Sequence, residues 1–184
     1  MTTCRYLILL LASALLSACG GSSENESCYV TDMRTITPEE VSNYVAKAYE
    51  ADGRPYKWGG QSWEEGFDCS GLVLWALEET GIADRWAYQD KALRDVTADS
   101  LFKYNVEIID EATAEFGDLI FFDADGDSVQ EHMSILIESA PEKDSYKVFD
   151  AYSVVGEVQH RTVQEFRSKN PKFARLKVAQ YRCD

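Results

Sequence analysis

The chain is short of positive charge, short of proline and glycine, and has no apolar run long enough to cross a bilayer; each shortage removes a class of protein. Its 18 Lys and Arg stand against 32 Asp and Glu, a formal charge of −14. A surface that acidic is repelled by the phosphate backbone that dominates nucleic-acid affinity, so nucleic-acid binding is excluded. Four Pro and 11 Gly are too few for a collagenous or low-complexity linker protein. No unit of roughly 20 to 50 residues recurs, which removes solenoids. The longest apolar stretch, Tyr6 to Leu16, falls short of the about 20 residues that a spanning helix needs. What is present suits one ordinary globular domain: 184 residues, 45% of them hydrophobic, can bury a real core.

The opening residues read as an address. Arg5 precedes the apolar run, giving the charged start and short hydrophobic middle of a secretory signal. The run ends in Leu16-Ser17-Ala18-Cys19-Gly20, which resembles the lipobox of bacterial lipoproteins. That resemblance implies cleavage before Cys19 and lipid on Cys19, hence contact with a lipid membrane. Gly20, in place of an acidic residue, implies sorting within the bacterial cell envelope to the outer membrane, facing the periplasm. An ordinary signal peptide cut after Ala18 is the alternative. Gly20 to Ser27 is small and polar, the composition of a flexible tether. The expected division is therefore signal 1–18, lipidated Cys19 and tether 19–27, and folded domain 28–184. An exported domain meets an oxidising environment, and domain termini often lie close together. A Cys28 to Cys183 disulfide is expected on that ground, two unpaired thiols being the alternative. Cys69 is then an odd thiol that calls for a reason.

Helices come first along the domain and strands later. Thr37-Pro38-Glu39-Glu40 has a capping hydroxyl, Pro at the first helical position and Glu three residues after the cap, and predicts a helix over 38–50. Asp52 to Gly60 is rich in turn residues and reads as a loop. Asp68 can cap a second helix running from Cys69 to about Thr80, with Leu72, Val73, Ala76 and Leu77 as its stripe and Gly81 as its stop. Residues 83–105 suggest short helical turns. Five β-rich segments follow, at 118–123, 132–138, 146–151, 157–163 and 174–181. The expected fold is α+β, with N-terminal helices packed on an antiparallel sheet of about five strands.

The chemistry lies where the two halves meet. Cys69 opens a helix, where free N–H groups and the dipole favour a thiolate, and helical spacing puts its sulfur on the inward stripe. After Cys69 the chain holds two histidines, His132 and His160. His132 begins a strand, and Asp150 lies near the end of the next one. Because the two numbers have the same parity, any hairpin register pairing residues of even sum puts both side chains on one face. Nucleophile, base and orienting group thus converge as Cys69, His132 and Asp150. A buried inert cysteine, a surface histidine and a solvated aspartate remain the bland alternative.

Five segments carry a resemblance, in chain order: Pro55-Tyr56-Lys57-Trp58-Gly59-Gly60, Phe67-Asp68-Cys69-Ser70-Gly71-Leu72-Val73, Gly117-Asp118-Leu119-Ile120-Phe121-Phe122, Glu131-His132-Met133-Ser134-Ile135, and Val148-Phe149-Asp150-Ala151-Tyr152-Ser153. Together they resemble the motif blocks of the NlpC-type family of papain-like cell-wall cysteine peptidases. The resemblance implies a papain-like NlpC-type fold and hydrolysis of peptidoglycan stem peptides, commonly at the γ-D-glutamyl to diamino acid bond, with no metal or other cofactor. It gives Cys69 the nucleophile's place and His132 the base's, while Asp150 falls where the family has a third polar residue, most often His. It also makes Tyr56 a residue lining the site and puts Asp68 and Ser70 beside the substrate's N-terminal end. Ser134 replaces a usual glycine and residues around Pro141–Asp144 lengthen the hairpin, changes expected to leave the reacting groups untouched.

Other features point to less. Asp123-Ala-Asp125-Gly126-Asp127 mismatches a calcium loop and reads as a solvated turn. His160 alternates with Val158 and reads as a surface or satisfied histidine, with the triad's third place as its alternative role. Trp58, Trp63, Trp75 and Trp86 could line a groove but are ordinarily core or rim. Such an acidic chain argues against electrostatic capture of a polyanionic wall and for a lipid tether. The alternatives to a monomeric peptidase are a non-catalytic wall-binding or envelope-assembly lipoprotein, and an amidase or acyltransferase using the same triad.

Overall fold

The computed structural model describes residues 27–140 and 144–184; the signal, Cys19, the tether up to Glu26 and the hairpin tip at 141–143 lie outside the described residues. In chain order the elements are β1 (Cys28–Thr35), α1 (Pro38–Glu50), β2 (Gln61–Ser62), β3 (Gly66–Phe67), α2 (Cys69–Glu79), β4 (Trp86–Tyr88), β5 (Lys91–Leu93), α3 (Ala98–Tyr104), β6 (Val106–Ile109), β7 (Leu119–Phe122), β8 (His132–Ala140), β9 (Ser145–Tyr152), β10 (Glu157–Val163) and β11 (Pro171–Cys183). The α+β class and the antiparallel sheet are as expected from the sequence, but the main sheet has nine strands, not about five. Its order is β10-β9-β8-β7-β11-β1-β5-β4, with β6 also paired to β11.

The extra strands escaped the sequence reading for physical reasons. β1 shows few buried positions and no clean alternation, so pairing with β11, from Cys28↔Cys183 to Thr35↔Lys177, makes it a strand. Residues 83–105 hold a hairpin of two three-residue strands, turned at Gln89 with φ 58°, followed by α3 capped by Thr97. Strands that short carry too little pattern to be seen.

The helices obey their capping signals. The Thr37 hydroxyl accepts from the Glu40 N–H while the Glu40 carboxylate accepts from the Thr37 N–H, a complete capping box. α2 ends where Gly81, at φ +68°, lets its N–H reach Glu78 and that of Ile82 reach Leu77, satisfying the last carbonyls. Between its ends, α2 is buried on more than the predicted stripe: Ser70, Gly71 and Leu74 are buried beside Leu72, Val73, Ala76 and Leu77. It is packed between α1 and the face of β8 and β9 that carries Met133, Ile135, Phe149 and Ala151. The opposite face of those strands shares a second cluster, Ile120, Phe122, Leu136, Tyr146, Val148, Val163 and Phe173.

Cys28 and Cys183 lie opposite each other at the free ends of β1 and β11 and are joined by a disulfide, with Cα atoms 4.0 Å apart. Cys69 is a free thiol. In the chain-entropy picture a bridge closing so long a loop stabilises by at most about 5 kcal/mol. Cys183→Ser in a domain of residues 27–184 is expected to lower unfolding free energy by about 2–5 kcal/mol in urea melts. Thiol titration of the denatured, unreduced wild type should count Cys69 alone; a count of all three cysteines would refute the bridge.

Candidate active site

The first turn of α2 is anchored by Asp68. Its Oδ1 accepts from the Gly71 N–H at 2.7 Å and the Ser70 hydroxyl at 3.0 Å, its Oδ2 accepts from the Gly59 N–H at 2.9 Å, and its own N–H donates to the Gly60 carbonyl at 2.9 Å. One carboxylate therefore caps the helix and ties it to the Pro55–Gly60 loop. The contact is close enough to require glycine at 71, where an added Cβ would lie 2.0 Å from the Gly60 carbonyl oxygen. Cys69, the next residue after Asp68, is half-buried against the core, with the helix-start N–H groups around it.

Asp68 and Ser70, expected beside the substrate, spend these polar atoms on each other and on backbone. They face a small hollow of about 110 Å³ with Asp95 and Thr97. Trp58, 83% exposed, forms the ridge between this hollow and a larger groove of about 740 Å³ that holds Cys69 and His132. Tyr56 lines the larger groove near the thiol. Burial, then the nearby Cys69 and Asp68, raise its pKa, so it remains a phenol at neutral pH.

His132 meets Cys69 from the sheet. It is the first residue of β8, and its ring is flanked by Phe122, stacked at 5.8 Å, and Tyr152, tilted at 5.1 Å. Its Nε2 is 2.8 Å from Asp150 Oδ2, and the Cys69 thiol lies in the same groove, near enough to help raise the pKa of the ring. The parity expectation holds because Ile135 pairs with Phe149; continued by one residue, that register puts Ser134 opposite Asp150, with His132 on the same face. Asp150 is 1% exposed. Burial favours its neutral form, but hydrogen bonds and charge from Arg161 and His132 outweigh this and lower its pKa to about 2. Burial likewise lowers the imidazolium's pKa, but Asp150 and Cys69 outweigh it and raise the value to about 9.

Two members of this cluster were missed. Arg161 grips both Asp150 oxygens, Nε to Oδ1 at 2.7 Å and Nη2 to Oδ2 at 2.5 Å, and lies 3.9 Å over the Tyr152 ring. A long cation on a strand gives no periodic signal. Ser134 was expected to leave the reacting groups untouched, yet its hydroxyl donates to Asp150 Oδ2 at 2.5 Å and sits 3.3 Å from His132 Nε2. A glycine at this position would have no atom to do this.

The remaining candidates fall elsewhere. His160 is exposed and packs between Tyr49 and Phe149, at 4.8 and 4.7 Å, on the other face from Asp150. Trp86 is core, while Trp63 and Trp75 pair with each other at 5.9 Å. The Asp123 loop is a turn closed by its own carboxylates, which accept from the Gly126, Ser128 and Val129 N–H groups. The carboxylates of Asp123, Asp125, Asp127 and Glu131 lie within 4.8 Å of one another, the set among the described residues that could hold a cation.

Residues 53–173 match the model of the NlpC/P60 family, and the chain belongs to that family. A 79-residue segment is 38% identical to the bifunctional muramidase/DL-endopeptidase CwlT of Bacillus subtilis, covering 42% of this chain and 20% of that protein. Over 93 residues it is 32% identical to the murein DD-endopeptidase MepH of Escherichia coli, covering 50% and 31%. The matches thus span a fifth to a third of these relatives. The fold is similar to that of RipD from Mycobacterium tuberculosis, a non-catalytic NlpC/p60 domain protein adapted to peptidoglycan binding: TM-score 0.54, 18% identity, covering 76% of this chain and 98% of that one.

Gly71→Ala tests the anchoring of the Cys69 helix. The methyl must push Gly60 and α2 apart, so a loss of about 1–3 kcal/mol is expected in urea melts. An unchanged midpoint would mean that the loop yields freely and does not position Cys69.

Proposed function

We propose that this protein is a peptidoglycan hydrolase that cuts stem peptides as a cysteine peptidase. The observation that carries the reading is the meeting of Cys69 and His132 in one open groove, the thiol at a helix start and His132 Nε2 2.8 Å from the buried Asp150 carboxylate behind it. The relatives named as murein or DL-endopeptidases support the same substrate class. The Cys69 thiolate attacks the scissile carbonyl while His132 is an imidazolium. A helix-start N–H, with the Tyr56 hydroxyl, faces the developing oxyanion. His132 then protonates the leaving amine, and as a neutral base activates the water that frees the acyl-enzyme. Asp150 keeps the proton on Nε2 and so reserves Nδ1 for the sulfur. The bond we assign is γ-D-glutamyl to diamino acid, on the strength of the motif resemblance.

The similarity of fold to RipD supports a second reading, a wall-binding protein without turnover. An amidase or acyltransferase would use the same groups and release a different product. Mass spectrometry of muropeptides after digestion separates the three. Cys69→Ala and His132→Ala are expected to abolish cleavage with the fold intact, and Asp150→Asn to lower it less than Cys69→Ala does. In wild type, activity should fall on the alkaline side as His132 loses its proton near pH 9. Turnover by a well-folded Cys69→Ala protein would end the peptidase reading.

The lipobox-like Leu16-Ser17-Ala18-Cys19 supports an envelope lipoprotein, held by acyl chains on Cys19 and facing the periplasm from the outer membrane. Cys19→Ser should shift the protein from the membrane to the soluble envelope fraction while leaving wall cleavage in vitro unchanged. Equal solubility of both forms would show that the motif is unused.

A further inference from the structure

The Asp150 carboxylate is almost wholly enclosed, and a buried carboxylate needs a partner through every state of a catalytic cycle. His132 cannot be that partner throughout, because its role in the cycle is to lose and regain a proton. Arg161 can, since a guanidinium stays charged at any working pH. It reaches Asp150 from β10, where Gln159 pairs with Asp150 and Arg161 stands two residues on, diagonal on the same face. The fork engages both oxygens, and the plane of Tyr152 beneath it, itself against His132, holds the guanidinium flat.

We propose that Arg161 is a positioning residue for the His132–Asp150 pair, a permanent counter-ion that keeps Asp150 ionised and limits how tightly that carboxylate holds the imidazolium. The inference rests on the Cys69–His132 reading and adds to it a reason why His132 can release its proton. An unshared buried carboxylate would stabilise the imidazolium more strongly and oppose proton transfer to the leaving amine. The other charged or titratable groups facing this cluster are Cys69 and Tyr56 across the groove, Glu131 beside His132, Tyr152 under the guanidinium, and Glu165 and Lys169 beyond β10.

The chain has two histidines, so the titration of His132 can be followed directly by proton NMR, with His160 on the other face as internal reference. Arg161→Gln is expected to raise the His132 midpoint by about one pH unit, and Arg161→Lys, which keeps the charge, to leave it near wild type. Asp150→Asn leaves the guanidinium unpaired beside the imidazole and should lower the midpoint. The double variant Asp150→Asn/Arg161→Gln removes that cation, so its midpoint should lie above that of Asp150→Asn, and kcat/KM on muropeptides should recover about tenfold. A His132 midpoint unchanged by Arg161→Gln, or a double variant no better than Asp150→Asn in either measurement, would overturn the proposal. If Arg161→Gln alone fails to fold, the comparison of the double variant with Asp150→Asn decides it. Absence of Cys69-dependent cleavage by wild type would instead count against the peptidase reading, while the NMR midpoints still test Arg161.

Discussion

The Asp68 carboxylate is the joint on which the groove depends. Without it the α2 N-terminus would leave N–H groups unpaired in a half-buried place, and the Pro55–Gly60 loop would lose its tie to the helix. Cys69 and Tyr56 belong to the two pieces so joined, and Trp58 stands on the loop as the divide between the hollows. Gly71 completes the joint by letting the helix backbone approach the loop more closely than any side chain would allow. Placement of Cys69 is therefore set by backbone contacts, with the thiol exposed to the groove.

His132 is positioned differently, by sheet register, and here a small irregularity matters. The β8–β9 ladder shifts register between Leu136 and Glu138. On the near side of that shift, paired residue numbers sum to an even value, and on the far side to an odd one. Because Ile135↔Phe149 lies on the near side, His132, Ser134 and Asp150 share a face. Had the odd-sum register of the far side run on through His132, His132 and Asp150 would have pointed to opposite faces. Parity thus made the pairing legible in the sequence while leaving the bulge itself, and so the correctness of the register, to the folded structure.

What else was legible followed the strength of the local signal. The Thr37 box, the Asp68 cap and the Gly81 stop each state a backbone hydrogen bond in residue types, and α1 and α2 start and end where those residues put them. β1 owes its state to β11, a partner distant in sequence, and the strands of the β4–β5 hairpin are too short to carry a pattern. Arg161 and Ser134 were invisible because each matters through contacts with Asp150 that only the folded sheet brings about.

The scarcity of cations acquires a structural meaning once their partners are known. Arg34 forks onto Glu40, Arg167 onto Glu111, Arg175 onto Asp118 and Arg161 onto Asp150, so four of the arginines are already paired with carboxylates of the chain. Asp118 and Asp150 are the buried carboxylates of these pairs, where removing the cation would strand a charge away from water. Cations paired this way have their charge largely cancelled and offer little field to a polyanion. Long-range attraction is then the wrong sign for capture, and association with such a substrate has to come from short-range contacts in the groove or from confinement near it. That is the physical reason a lipid on Cys19 would matter to this chain more than to a basic one: confinement raises the local concentration of wall without requiring any surface charge to change.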